Sequence, residues 1–169
     1  MKIVNTNLGG GKSSRNIAQT VSIQTSQPLF SSTITYTVHI QRKHVGTGVW
    51  PDQNNLNYME IYLPADAKIV TLPQGIGGQS QLAAVDQQAM GTVGKKWSTV
   101  VTPGNGWEKV GFWATTNVHQ ETDYTLVYSL PVSSNSPGLL YIKQAGAEKD
   151  TVKMGSFDGL ITGDTFLAN

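Results

Sequence analysis

The sequence predicts an all-β chain: a two-sheet β-sandwich, immunoglobulin-like or jelly-roll in style, with mostly antiparallel strands. Apolar residues recur at every second position along much of the chain, while the three-to-four spacing of an amphipathic helix is nearly absent. Clusters of Gly, Pro, Asn and Ser interrupt these stretches at short intervals, as turns between short strands do. With 169 residues the chain can bury one hydrophobic core and is too short for two.

Taken in order, residues 1–18 are polar and glycine-rich and read as an arm, flexible or strapped on, ahead of a single β-sandwich domain over residues 19–169. Residues 20–25 are the first strand candidate. Residues 33–40 are the clearest one, with Ile34, Tyr36, Val38 and Ile40 on one face and Thr33, Thr35, Thr37 and His39 on the other. Residues 59–63 gather Met59, Ile61 and Leu63 on one face and stop at Pro64, which has no N–H for a ladder. Residues 67–72, 79–85 and 98–101 are weaker candidates, and residues 83–90 hold the one stretch compatible with a helical turn. Residues 110–116 follow. Residues 124–130 then place Tyr124, Leu126, Tyr128 and Leu130 together and close on Pro131. Residues 138–144 and 151–154 complete a set of about eight to ten strands.

Composition narrows the chemistry. Charged residues make up 14% against a typical ~25%, and the formal net charge is +1. So weak a field draws neither nucleic acid nor anionic lipid, and neither a nucleic-acid partner nor direct membrane insertion is expected. The lack of Cys removes thiol catalysis, disulfides and thiolate zinc sites. No apolar run approaches the ~18 residues of a membrane span. Residues 1–7 turn polar too early for the apolar stretch of a secretory signal. Thr, Ser, Asn, Gln and Gly supply much of the polarity, in the style of exported β-proteins.

Catalytic motifs do not assemble. Gly9-Gly10-Gly11-Lys12-Ser13-Ser14 resembles the end of a phosphate-binding loop, yet Thr6 stands where that motif's first glycine belongs and no amphipathic helix follows. His39, His44 and His119 are scattered, and His44 lies near a glycine turn where exposure is expected, so no metal site is assigned. Asp66, Asp86, Glu108, Glu121 and Asp123 fall in or beside turns and cannot be paired by spacing. No serine has the glycine neighbours of a nucleophile elbow. A Lys–Asn cross-link would need a buried lysine, whereas Lys109 and Lys143, like Glu60, occupy polar faces. The reading is of a protein that is no enzyme, with no catalytic residue, no metal and no cofactor.

Tryptophan offers the best candidate ligand groups. Within residues 107–114, Val110, Phe112 and Ala114 point one way, and Trp107, Lys109, Gly111 and Trp113 the other. Packing in the core or at the sandwich end is the leading reading for Trp50, Trp97, Trp107 and Trp113. A sugar-stacking platform built from Trp50, Trp107 and Trp113 is the alternative.

Several segments together resemble the C-terminal region of a family of uncharacterised, membrane-anchored bacterial surface proteins, a domain of unknown function. Asn5-Thr6-Asn7-Leu8-Gly9-Gly10-Gly11-Lys12-Ser13 is similar to that family's Asn-rich strand end running into Gly-Gly-x-Lys-Ser. Trp50-Pro51-Asp52 with Asn57-Tyr58-Met59-Glu60-Ile61-Tyr62-Leu63-Pro64 resembles its Trp-Pro and Asn-Tyr-Leu-Arg-Val-Tyr-Val-Pro signature, Glu60 replacing the arginine. Gly111-Phe112-Trp113 with residues 124–131 resembles its pair of strands closing on Tyr-x-Leu-Pro, Leu140-Tyr141-Ile142-Lys143-Gln144-Ala145-Gly146 its strand ending in Gln-Lys-Gln-x-Gly, and residues 157–166 its closing Leu-x-x-Asp-x-x-Phe. The resemblance implies an outer β-domain on the extracellular bacterial surface, carried by a membrane-anchored parent, and it assigns no binding residue. The expected function is a non-catalytic structural or interaction module. Its expected partners are the parent's upstream domain, other surface proteins or envelope glycans. A carbohydrate-binding module is the alternative, and a hydrolase of envelope polymers, which would need carboxylates converging in a cleft, is the least favoured.

Overall fold

In a computed structural model, which describes residues 1–7, 12–73, 100–104, 106–132, 138–142 and 150–168, the alternation of the sequence becomes alternation of burial. The described strands are β1 (Lys2–Asn7), β2 (Ile17–Ser26), β3 (Thr33–His44), β4 (Asn57–Pro64), β5 (Lys68–Thr71), β6 (Val100–Gly104), β7 (Trp107–Trp113), β8 (Glu121–Pro131), β9 (Gly138–Tyr141), β10 (Asp150–Met154), β11 (Phe157–Ile161) and β12 (Thr165–Ala168). A single 3-10 turn, Ser13–Asn16, precedes β2. Pro64 and Pro131 each end a strand.

The chain is all-β and forms a sandwich. One sheet has the order β1-β4-β7-β6, the other β11-β10-β2-β3-β8-β5, and a short pair is made by β12 and β9. Among the described residues, every ladder between two named strands is antiparallel except β10 beside β2. An isolated parallel bridge from Lys2 to Ile142, just past β9, brings the short pair to the β1 edge of the four-stranded sheet. The Ile142 N–H supports it by donating to the Met1 carbonyl at 2.9 Å.

Between the sheets lie Ile3, Met59, Ile61, Leu63, Val110 and Phe112 from one side, and Val21, Val38, Ile40, Tyr124, Leu126 and Tyr128 from the other, all buried. The Phe112 ring meets Tyr124 across the two layers, with centroids 5.2 Å apart. Tyr36 and Tyr128, register partners, stack at 5.0 Å with their planes 5° apart. Burying an aromatic or aliphatic side chain of this size contributes about 1.5–3 kcal/mol, so the alternation read from the sequence is also the main source of stability.

Several boundaries differ from the sequence reading for physical reasons. Residues 2–7, placed in an arm, form β1 within the sheet, paired with β4 over six residue pairs. Only Ile3 of β1 enters the core, so its alternation is faint; Asn5 instead hydrogen-bonds the Gln19 side chain at 3.2 Å and accepts from Asn57 at 2.9 Å. Strand β3 runs on past Ile40 because its inner face turns from apolar to polar, ending in buried Arg42 and His44. Strands β11 and β12 are not among the strands that alternation predicts: Ile161 and Leu167 are their buried apolar residues, too sparse a pattern to read. Residues 79–85 and 83–90, Trp97 and Lys143 lie outside the described residues.

Candidate functional site

The outward face of the four-stranded sheet is built by the residues that β4 and β7 turn away from the core. Register places Tyr58 opposite Trp113, Glu60 opposite Gly111, Tyr62 opposite Lys109 and Pro64 opposite Trp107. On the far side of β4, strand β1 adds Thr6 beside Tyr58, Val4 beside Glu60 and Lys2 beside Tyr62. Trp107 and Trp113 therefore share one face of one strand, six positions or about 20 Å apart.

Contacts across the strands hold these side chains. The Tyr58 ring meets Trp113 edge-on, centroids 5.3 Å apart at 66°, the arrangement favoured by the charge distribution of aromatic rings. Gly111 makes room for it: a Cβ there would fall on the Tyr58 hydroxyl. Beside this pair the Lys109 ammonium donates to Glu60 Oε1 at 2.9 Å, and the Tyr62 hydroxyl donates to Glu60 Oε2 at 3.0 Å. Burial by itself would raise the Glu60 carboxyl, but these two donors outweigh it and hold the group below its ordinary value. The hydrogen bond to Glu60 raises Lys109 in turn, so at neutral pH the pair is ionised. Trp107, 39% exposed, stands at the far end of the face.

Of the three tryptophans singled out as ligand groups, the structure thus brings Trp107 and Trp113 together and leaves Trp50 elsewhere. Trp50 is 77% exposed on the loop between β3 and β4, before a cis bond to Pro51. None of the three is a core residue: the buried face of β7 is taken by Val110 and Phe112, continued by Ala114, and Trp50 is exposed on its loop. Tyr58 and Tyr62 were overlooked as members of this face. The signal was available in the alternation of β4, whose Met59, Ile61 and Leu63 commit the intervening residues to the other side.

A second polar cluster closes one end of the sandwich. Thr122, Arg42, Gln19 and Asp150 form a row across four neighbouring strands, all four buried. Arg42 donates through Nη1 to the Ala114 carbonyl at 2.5 Å and through Nη2 to Asn55 Oδ1 at 2.9 Å. Burial lowers its pKa to about 10. Asn55 in turn donates to the Ser13 and Ser14 hydroxyls at 3.1 and 3.3 Å. Gln19 donates to Asp150 at 3.2 Å, and Asp150 also accepts from the Tyr141 hydroxyl at 3.3 Å.

His44, expected at the surface, is fully enclosed. Its Nδ1 faces the Gly46 N–H at 3.3 Å, and its Nε2 lies 3.1 Å from both Asp52 Oδ1 and the Gln53 carbonyl. Asp52 Oδ2 accepts from the Thr47 and Gly48 N–H groups at 2.7 and 3.4 Å. A bond from the Asn16 side chain, aided by these amides and His44, holds the Asp52 carboxyl below its ordinary value. Ring and carboxylate are thus committed to fixing the loop, which makes this dyad an anchor. An open depression of about 360 Å³ beside Lys12, Arg15, Asn16, Pro51 and Asp52 lies next to it. Among the described residues, no three His, Cys, Asp or Glu side chains converge as metal ligands would.

Compared with known proteins, the chain matches no protein-family model and no curated protein.

Proposed function

We propose that this chain is a non-catalytic recognition module of a bacterial cell surface, and that it holds a glycan chain along the outward face of the four-stranded sheet. One observation carries the reading: Trp107 and Trp113 lie about 20 Å apart on the same face, with the Glu60–Lys109–Tyr62 cluster between them. Apolar ring faces flanking fixed hydrogen-bonding groups suit a chain of sugar rings, which presents C–H faces and hydroxyl edges in alternation. The ionised carboxylate and ammonium neutralise each other, which favours a neutral glycan over a strongly charged polymer. The surface location rests on the sequence resemblance, and the parent's upstream domain and neighbouring surface proteins are further partners on the same basis.

Titration calorimetry with a panel of soluble envelope and storage polysaccharides tests the reading. Binding of at least one neutral glycan is expected, weakened roughly tenfold or more by Trp107→Ala or Trp113→Ala. Trp50→Ala, on a separate loop, is expected to leave it unchanged. Loss of binding on changing Trp50 alone, or turnover of the glycan, would refute it.

A further inference from the structure

Against the expectation from composition that the chain makes no direct membrane insertion, we propose that the turn between β2 and β3 is a lipid-dipping tip, with Leu29 and Phe30 entering the apolar boundary of an uncharged bilayer. In this turn the Ser31 N–H donates to the Pro28 carbonyl at 3.0 Å, placing Leu29 and Phe30 at its two central positions. Phe30 has φ 66°, the left-handed conformation that glycine or asparagine ordinarily supplies at the second central position. A bulky ring kept there against its steric preference is fully exposed, at 103%, and Leu29 is 89% exposed. Neither side chain joins the core. Strain of this kind, retained without packing in return, points to a use outside the fold.

The base of the turn is also satisfied from within. Pro28 has no N–H, its carbonyl is bonded, and the Gln27 side chain donates to the Ser31 carbonyl at 3.1 Å. Ser31 Oγ accepts from the Thr33 N–H at 3.1 Å. These polar groups keep their partners when the tip is desolvated. Val132, 42% exposed, is held alongside by its N–H donating to the Ser32 carbonyl at 2.8 Å and adds a third apolar side chain. From Asn16 to Val38 the sequence has no Asp, Glu, Lys, Arg or His, so no charge need be stripped of water.

Size and charge decide the occupant. Two or three projecting side chains fall far short of the ~800 Å² per partner of a stable protein interface, whereas a bilayer requires depth rather than a matching surface. With no basic residue in the hairpin near the tip, anionic lipid gains no advantage.

Because the chain has no cysteine, Ser32→Cys gives the full-length protein a unique attachment point for a polarity-sensitive dye. On adding phosphatidylcholine vesicles, the dye is expected to brighten and shift to the blue, and the response to survive added phosphatidylglycerol and high salt. Leu29→Ser and Phe30→Gly should each weaken partition roughly tenfold. Phe30→Gly also relieves the left-handed phenylalanine, so its thermal midpoint should stay within a few degrees of the parent's, separating lost partition from lost folding. Three results would overturn the proposal: partition unchanged in both variants, binding confined to anionic vesicles, or brightening with protein concentration alone, the sign of a second copy on the tip.

Discussion

Replacing Asn55 by leucine should test the polar end of the sandwich most sharply. Asn55 is completely buried, and its side chain joins Arg42 to the Ser13–Asn16 turn. Leucine keeps the branched shape at a somewhat larger volume and removes both polar atoms. The Arg42 guanidinium then loses one of its two acceptors while remaining enclosed, and a hydrogen bond to a charged group is worth about 1.5–3 kcal/mol. The two serine hydroxyls lose an amide donor, at about 1 kcal/mol each before they turn to other partners. The expected loss is about 3–5 kcal/mol, and at about 2–4 °C per kcal/mol for a domain of this size the midpoint should fall by about 10–15 °C. Asn55→Asp is the informative partner, because a carboxylate preserves the acceptor for Arg42 and accepts from both serines; it should cost under about 1 kcal/mol. Urea unfolding followed by tryptophan fluorescence reads both. If leucine is tolerated within about 1 kcal/mol, or aspartate does equal damage, Arg42 does not depend on this acceptor and the reasoning fails.

Other expectations follow from single contacts. The Tyr128 hydroxyl is buried with no recorded partner among the described residues, so Tyr128→Phe should leave stability unchanged or raise it by about 1 kcal/mol in the same unfolding assay. Leu63→Ala should cost about 2–5 kcal/mol, read from the urea midpoint, because a fully enclosed side chain leaves a cavity. Gly111→Ala should push the Tyr58 ring away from Trp113, visible as changed near-ultraviolet circular dichroism, and weaken glycan binding with under about 1 kcal/mol lost in stability. Asp52 titrates below its ordinary 3.8 in the folded chain, so its contribution is intact above that value and fades as pH falls through the lower, folded-state value. Asp52→Asn should flatten that acid limb in unfolding curves taken across the range.

The fold class was legible because residues such as Ile34, Tyr36, Val38 and Ile40 alternate strictly, and alternation is what a half-buried strand requires. Partner choice was not: the parallel union of β2 and β10 joins residues some 130 positions apart, and nothing local records it. The outward face was partly visible, since the 107–114 stretch places Trp107 and Trp113 together, but joining them to Tyr58 and Tyr62 needed the β4–β7 register. His44 was misplaced because its neighbours Gly46 and Gly48 suggested an exposed turn. The buried carboxylate that keeps it inside, Asp52, comes from further along the same loop. The tip at Leu29 and Phe30 was invisible as well, for two apolar residues after a proline look like any strand beginning until their backbone angles are known.

The passage of β3 from Ile34 to His44, oily at one end and hydrogen-bonding at the other, also guards against misalignment. A one-residue slip in a sheet exposes its greasy side and is rejected at once, but a two-residue slip keeps each side chain on its proper side and is ordinarily the harder error to exclude. Here such a shift in one direction would set the guanidinium of Arg42 opposite Val21 and Tyr124, and in the other it would strand Gln19 and Thr122 opposite Ile40. The ladder therefore has a single acceptable alignment along its length as well as across its faces.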